Sequence, residues 1–351
     1  MIISRSPVRI TLGGGGTDLQ SYYSKYGGAL IAAAINKYTL VTAHTRFDDD
    51  VKLNYSKTEQ IKNVDEVKHN IFREGLRLLN IRKGIELTSL SDIPSNSGLG
   101  TSGSFTIALL NVLHTYKREF VSQKQLAEEA CKIEIDILNE PIGKQDQYVS
   151  AFGGIISLEF AKDGKVSVEP VKMNEESQDE LHNNIMLFYT GISRSASDIL
   201  KEQNEKSKKD ENETIETLHE IKKIGLDTKK ALEKGDVDKL GEFLDLHWNI
   251  KKRLSKNISN KYIDECYELA KSTGALGGKI MGAGGGGFFM FYHNGNNNQK
   301  TAFVKVLSKV GLKKMRYNFD FEGSKIILNM KNIWRWLLWI MKGRLKNTSK
   351  K

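Results

Sequence analysis

The segment Pro94-Ser95-Asn96-Ser97-Gly98-Leu99-Gly100-Thr101-Ser102-Gly103-Ser104 gathers hydroxyls and glycines in a way that suits phosphate binding. An alternating run, Ile85-Glu86-Leu87-Thr88, precedes it and predicts a strand. After it, Ile107, Ala108, Leu110, Asn111, Val112 and His114 recur at helical spacing. A glycine-rich loop that opens a helix turns backbone N–H groups toward an anion, with the positive end of the helix dipole behind them. Gly98 and Gly103 enclose four residues, as in a P-loop, but Ser104 stands where that motif has lysine. The chemistry on offer is backbone and hydroxyl contact with phosphate, without the lysine. The plain structural reading is a Gly/Ser turn that caps a helix.

Two further glycine runs shift the balance toward a ligand. Pro7-Val8-Arg9-Ile10-Thr11-Leu12-Gly13-Gly14-Gly15-Gly16-Thr17-Asp18 follows a strand pattern in which Val8, Ile10 and Leu12 alternate. Lys279-Ile280-Met281-Gly282-Ala283-Gly284-Gly285-Gly286-Gly287 leads into an apolar run, Phe288 to Tyr292, that predicts a buried strand. A single glycine run is commonly a loose loop. Three of them, each joined to a regular element, suggest one shared site where backbone approaches a ligand.

A fourth segment, Pro141-Ile142-Gly143-Lys144-Gln145-Asp146-Gln147-Tyr148, follows a helical pattern from about Gln125 to Asn139. There Leu126, Ala127, Ala130, Cys131, Ile133, Ile137 and Leu138 form one apolar stripe, with Glu134 in its middle and Asp136 on the polar side. A carboxylate facing a core needs a metal or a cationic partner, so Glu134 is expected to bind Mg²⁺ or to sit in a buried ion pair. Asp146 alone reads as a loop residue. No histidine has a second His or Cys at ligand spacing, and Cys131 and Cys266 read as free thiols of a reducing compartment.

In combination these motifs resemble those of the GHMP kinases, which phosphorylate sugars and isoprenoid precursors. The likeness spans residues 1 to 330, with all three glycine motifs in family order. Within the family, the Gly13–Asp18 run, the Gln145-Asp146-Gln147-Tyr148 stretch and Gly191-Ile192-Ser193-Arg194-Ser195 look most like heptose 7-phosphate kinases. Fucose-type and other anomeric sugar kinases are similar. The resemblance implies an α+β fold of two domains, a ribosomal-protein-S5-like one over residues 1–175 and a ferredoxin-like one over 176–331. It implies transfer of the ATP γ-phosphate to a hydroxyl, anomeric in the heptose kinases, of a phosphosugar, a step toward nucleotide-activated heptose for surface polysaccharide. Pro94, Ser97, Gly98, Gly100, Thr101, Ser102, Gly103 and Ser104 would then hold ATP, and Ser102 and Glu134 would hold Mg²⁺. Asp146 would be the base, with Arg9 beside it where many relatives have lysine. Gly15, Gly16, Thr17, Asp18, Gly284 and Gly285 would meet the acceptor. Arg194, among hydroxyls, suits a fork on its phosphate.

The rest of the chain is consistent with a soluble enzyme. Its 351 residues suggest about two domains. Met1–Ile10 carries Arg5, Pro7 and Arg9 where a secretory leader would be apolar, so a cytoplasmic location is expected. Strand and helix signals alternate to about Pro170. Lys201–Glu213 reads as solvated helix or loop, and Ile215–Leu244 and Ile263–Ala270 as amphipathic helices. Of the net charge of +10, the stretch 331–351 contributes seven basic residues and no acidic ones, so the body needs no nucleic acid to explain it. Trp334, Trp336, Trp339 and those basic residues suit a helix lying in an anionic membrane surface, or one packed on the body or a partner subunit. The partners expected are a small-molecule phosphosugar, a peripheral membrane contact through this tail and a second copy in a homodimer. The rival from another class is a phosphosugar-binding regulator without catalysis.

Overall fold

A computed structural model describes residues 1–193, 197–209 and 211–330. Arg194 and the tail from Asn332 onward, both singled out in the sequence, lie outside the described residues. The first half runs β1 (Ile2–Gly13), α1 (Gln20–Tyr26), β2 (Gly28–Thr45), β3 (Val51–Asn54), β4 (Thr58–Ile61), α2 (Asn70–Leu78), β5 (Ile85–Ser91), α3 (Thr101–Lys117), α4 (Gln123–Cys131), α5 (Gln145–Phe152), β6 (Ile155–Phe160) and β7 (Val166–Pro170). The second half runs α6 (Glu175–Asn184), β8 (Ile185–Tyr189), α7 (Ser197–Lys208), α8 (Asn212–Glu233), α9 (Lys239–Lys251), α10 (Lys261–Ser272), β9 (Gly277–Ile280), β10 (Phe288–Tyr292), α11 (Asn297–Lys309), β11 (Lys313–Met315) and β12 (Lys325–Asn329).

The fold is α+β, built on two sheets. The larger has the order β12-β1-β2-β5-β3-β4, with β6 also pairing β2 and β7 beyond it. The smaller is antiparallel, in the order β11-β8-β10-β9. Counted from β8, that is the 4-1-3-2 order of a ferredoxin-like unit, as the resemblance implied. One strand departs from the expected 1–175 and 176–331 division. β12 returns to the first sheet and pairs antiparallel with β1, so the second stretch is not one unit in space.

β1 explains how the two halves meet. Its register against β2 shifts between Pro7 and Val8. Beyond that shift Val8, Ile10 and Leu12 point into an apolar core shared with Met281, Phe288 and Met290 of the second half. A strand turns successive side chains to opposite faces, so Arg9 and Thr11 point the other way, toward α5, and are buried at 3% and 4% exposure. A second core fills the space under α2 to α5, and a third lies within the second half.

Two helical expectations change. The segment after α4 is not α-helical: Lys132–Ile137 forms a π-helical turn. A wider turn rotates less than 100° per residue, so the wheel loses its phase there. Ile133 and Glu134 stay buried, but Ile137, placed on the apolar stripe, is 42% exposed. The Ile215–Leu244 span is two helices, α8 and α9, broken around Gly235. On α7, Gln203 and Ser207 are buried, so this charged run packs one face on the body.

Candidate active site

The phosphate-loop expectation begins from α3. Its N-cap is Gly100, in a left-handed conformation, with no side chain capping the end. The first N–H groups of an α-helix have no partner inside the helix. Those of Thr101, Ser102 and Gly103 are therefore the natural seat for an anion. Leu99, fully buried, anchors the loop, and its carbonyl accepts a bond from Arg9 N at 2.9 Å. Pro94 is exposed at the loop's start, Ser97 is buried, and its hydroxyl and that of Thr101 have no partner among the described residues. Ser104 does not serve a ligand: it is fully buried and donates to Ser6 O at 2.8 Å.

Asp146 lies in the first turn of α5 and faces this loop. Arg9 Nε and Nη2 each stand 2.7 Å from Asp146 Oδ1. Arg9 Nη1 donates to Gly98 O, which ties the cation to the phosphate loop. With Oδ1 held, Oδ2 remains, and it faces Gly100: a Cβ on Gly100 would sit 3.0 Å from it. Lys144 is turned away, donating to Gly164 O at 2.8 Å and lying over the Tyr23 ring.

Glu134 closes one side. It is 1% exposed, accepts a hydrogen bond from Ser102 Oγ on Oε1, and accepts another from Gln147 Nε2 at 2.8 Å on Oε2. Burial pushes its carboxyl up to about 7, the charge of Asp146 adds to the rise, and the two hydrogen bonds oppose it. Gln147 Oε1, also buried, has no partner among the described residues. Glu134 lies within the π-helical turn, and such turns recur at functional sites.

The first glycine run mixes ligand and packing roles. Gly13 backs onto Gly225 and Thr228 of α8. Thr17, expected at the acceptor, is fully buried, and its hydroxyl bonds Gly14 O at 2.8 Å and Ala29 O at 3.0 Å, so it shapes the loop. Asp18 is 2% exposed and accepts from Gly16 N at 3.0 Å and from Gln145 N at 3.1 Å. Burial raises its carboxyl against these bonds, and the Asp146 charge raises it further. A side chain at Gly143 would overlap Asp18 Oδ2. Asp18 thus clamps the turn that presents Asp146. A cavity of about 660 Å³ opens next to this clamp, lined in part by Gln20, Ser24, Lys201 and Lys208.

The third glycine loop, Met281–Gly287, lies on the second. A Cβ on Gly98 would come 2.6 Å from Met281 O, and one on Gly282 would come 2.7 Å from Gly98 Cα. Backbones this close admit only glycine, and both residues have positive φ. Gly284 packs on Ile258, and Gly285 N donates to Ile258 O at 2.8 Å, so that N–H is committed within the protein.

Sequence reasoning missed several participants. Gln145 and Gln147 flank Asp146 in a polar segment where nothing in their type marks them for the site. Thr11 donates to Gln145 Oε1 at 2.8 Å, and alternation along β1 could have placed it beside Arg9. Lys251, whose Nζ donates to Gly282 O, had no signal, because Lys251-Lys252-Arg253 reads as a solvated patch.

Comparison with known proteins accords with this geometry. Residues 63–154 match the GHMP kinases N terminal domain, and residues 228–309 match the GHMP kinases C terminal domain. The chain is 31% identical over 339 residues to D-glycero-alpha-D-manno-heptose 7-phosphate kinase of Campylobacter jejuni, covering 92% of this chain and 98% of that one. A crystal structure of a D-glycero-D-manno-heptose 1-phosphate kinase from Bacteroides thetaiotaomicron matches with a TM-score of 0.78 at 27% identity, over 94% of this chain and 99% of that chain. Lactococcus lactis galactokinase, at 22% identity, shares the fold with a TM-score of 0.75 over 92% of this chain and 94% of that one. Matched in both halves and along nearly its whole length, the chain belongs to the GHMP kinases and is an ATP-dependent sugar kinase.

Proposed function

We propose that this kinase transfers the ATP γ-phosphate to the anomeric hydroxyl of D-glycero-D-manno-heptose 7-phosphate, giving the 1,7-bisphosphate. The observation that carries the chemistry is the Arg9–Asp146 pair set against the bare first turn of α3. Kinship with the Campylobacter enzyme supports the acceptor. Phosphoryl transfer asks mainly for positioning and charge neutralisation. The N–H groups of Thr101, Ser102 and Gly103 seat the donor phosphates. The attacking hydroxyl gives its proton to Asp146 Oδ2 as its oxygen bonds to the γ-phosphorus, and the bond from that phosphorus to the bridging oxygen breaks to release ADP. Arg9 holds the other oxygen of the base and adds positive charge.

Ser102 Oγ, the Glu134 carboxylate and the partnerless Gln147 Oε1 form an all-oxygen donor set, which fits Mg²⁺. No group of three or more His, Cys, Asp or Glu suited to a metal occurs among the described residues, but magnesium bound with phosphates needs only one or two protein ligands. Bound there, it would neutralise phosphate charge. Gly15, Gly16 and Asp18 line the acceptor side in this reading, with Arg194 on the distal phosphate. No described helix is long and apolar enough to cross a membrane. We assign the enzyme to the cytoplasm, with the basic tail resting on an anionic membrane surface.

The test is ADP release with heptose 7-phosphate, unphosphorylated heptose, fucose and galactose. Heptose 7-phosphate should give a kcat/KM at least about 100-fold above the others. Equal or better turnover of an unphosphorylated sugar would replace this acceptor with a fucose- or galactose-type one.

A further inference from the structure

Lys279 takes no part in the chemistry just described, yet it is 3% exposed. It stands on β9, two residues before the third glycine loop. Its hydrogen-bonding neighbour is His247 Nδ1 on α9, at 3.4 Å, and no carboxylate pairs with it among the described residues. His247 is itself 1% exposed. One turn further along α9, part-buried Lys251 donates to Gly282 O and likewise pairs with no carboxylate there. Gly282 rests on Gly98, whose carbonyl receives Arg9 Nη1. The basic groups that act on one another here are Arg9 from β1, His247 and Lys251 from α9 and Lys279 from β9, with Asp146 of α5 joined to them through Arg9. The single acid among them is already held by Arg9.

Burial holds Lys279 well below its ordinary value, and Lys251 and Arg9 push it lower. Burial holds His247 well below its own, helped by Lys279 and Lys251. Burial and Arg9 bring Lys251 down to about 8. Buried basic groups without a counter-charge are costly, and such clusters mark functional sites. This one adjoins a phosphate loop that carries Ser104 in place of lysine.

We propose that Lys251, backed by Lys279 and His247, is the cationic seat for a phosphate dianion at the junction of the second and third glycine loops. The proposal rests on the reading of this site as a phosphoryl-transfer centre. The dianion has two sources: the γ-phosphate of ATP and the acceptor's own phosphate. Charge-assisted contacts to phosphate are strong, and a dianion that restores charge to the cluster should draw protons onto it.

Binding of ATP and of ADP, without acceptor, is measured calorimetrically for wild type, Lys251→Gln, Lys251→Arg and Lys279→Met. If the γ-phosphate occupies the seat, Lys251→Gln weakens ATP about tenfold or more and ADP less than twofold, while Lys251→Arg recovers most of the loss. ATP binding should also take up protons in wild type, and fewer in Lys279→Met, when buffers of different ionisation enthalpy are compared. If the acceptor supplies the dianion, nucleotide binding is unchanged. Lys251→Gln then raises KM about tenfold for a phosphorylated sugar and not for its unphosphorylated form. Either pattern supports the seat. All constants within twofold of wild type, or equal losses of ATP and ADP, would overturn it. Should Lys251→Gln lower Tm by more than a few degrees, the Lys251→Arg and Lys279→Met comparisons decide. The nucleotide arm does not use the acceptor, so a wrong acceptor leaves it readable.

Discussion

Arg9 grips one oxygen of Asp146 and leaves the other toward the phosphate loop, so Asp146→Asn removes the proton acceptor while keeping the shape. We expect kcat to fall about 10²-fold or more with ATP affinity within a few-fold of wild type, read by steady-state kinetics and calorimetry. Activity near wild type would mean that the proton leaves by another route. The two residues of this pair differ in how they could be read from sequence. Alternation along β1 separates Arg9 from its apolar neighbours, but nothing local says that it meets a residue so distant along the chain. Only the likeness to other kinases joined them. Glu134 could be read on its own, because a carboxylate on an apolar stripe must have company. Lys251 could not, since a lysine followed by Lys252 and Arg253 looks solvated until the glycine loop is laid across it.

At the scale of elements, α3 and α10 emerge at their predicted places because their apolar spacing is regular. The π-helical turn was invisible because a wheel drawn at 100° presumes the α-helix it is meant to detect. One clamp between elements makes a pH prediction. His114 on α3 is 4% exposed, with Nε2 2.7 Å from Glu129 on α4 and Nδ1 3.0 Å from Glu119. Burial alone would lower the histidine, but the bonds and charges of Glu129 and Glu119 outweigh it and raise it above 6.5. Burial raises Glu129 too, but the bond to His114 prevails and leaves it below 4.5. The histidine's contribution is full below 6.5 and is lost as pH rises through its raised value. The glutamate's is present above 4.5 and is lost as pH falls through its lowered value. The pair should therefore stabilise most between those limits. His114→Gln should cost on the order of 1 kcal/mol more at pH 6 than at pH 9 in urea unfolding. A cost independent of pH would show the contact to be packing alone.

At the scale of the molecule, the halves are joined where the glycine loops touch. Gly282→Ala should lower Tm by several degrees, through a strained φ and a clash with backbone, and should cut kcat/KM for both substrates. Gly84→Ala, also at positive φ but with nothing nearer than Asp48 O at 3.8 Å, should cost about 1 kcal/mol and leave kinetics intact. If both behave alike, the junction is not what sets activity. Sequence pattern alone read alternating strands and helices to about Pro170 and, beyond it, two helical stretches and the Phe288–Tyr292 strand, leaving β8 and β11 unread. It did not give the return of the last strand, because Lys325–Asn329 is too short to announce its partner. That return has a consequence for biosynthesis. Ile2 pairs with Asn329, and Met330 N donates to Met1 O at 2.9 Å. On the ribosome, β1 emerges long before β12, while folding during synthesis generally proceeds from the N-terminus. The nascent first half therefore waits with one sheet edge open, an invitation to wrong pairing. A circular permutant that joins residue 330 to residue 1 and opens the chain at exposed Lys172, between β7 and α6, would deliver the two strands together while leaving the β6–β7 hairpin whole, and it should fold with less need of a chaperone.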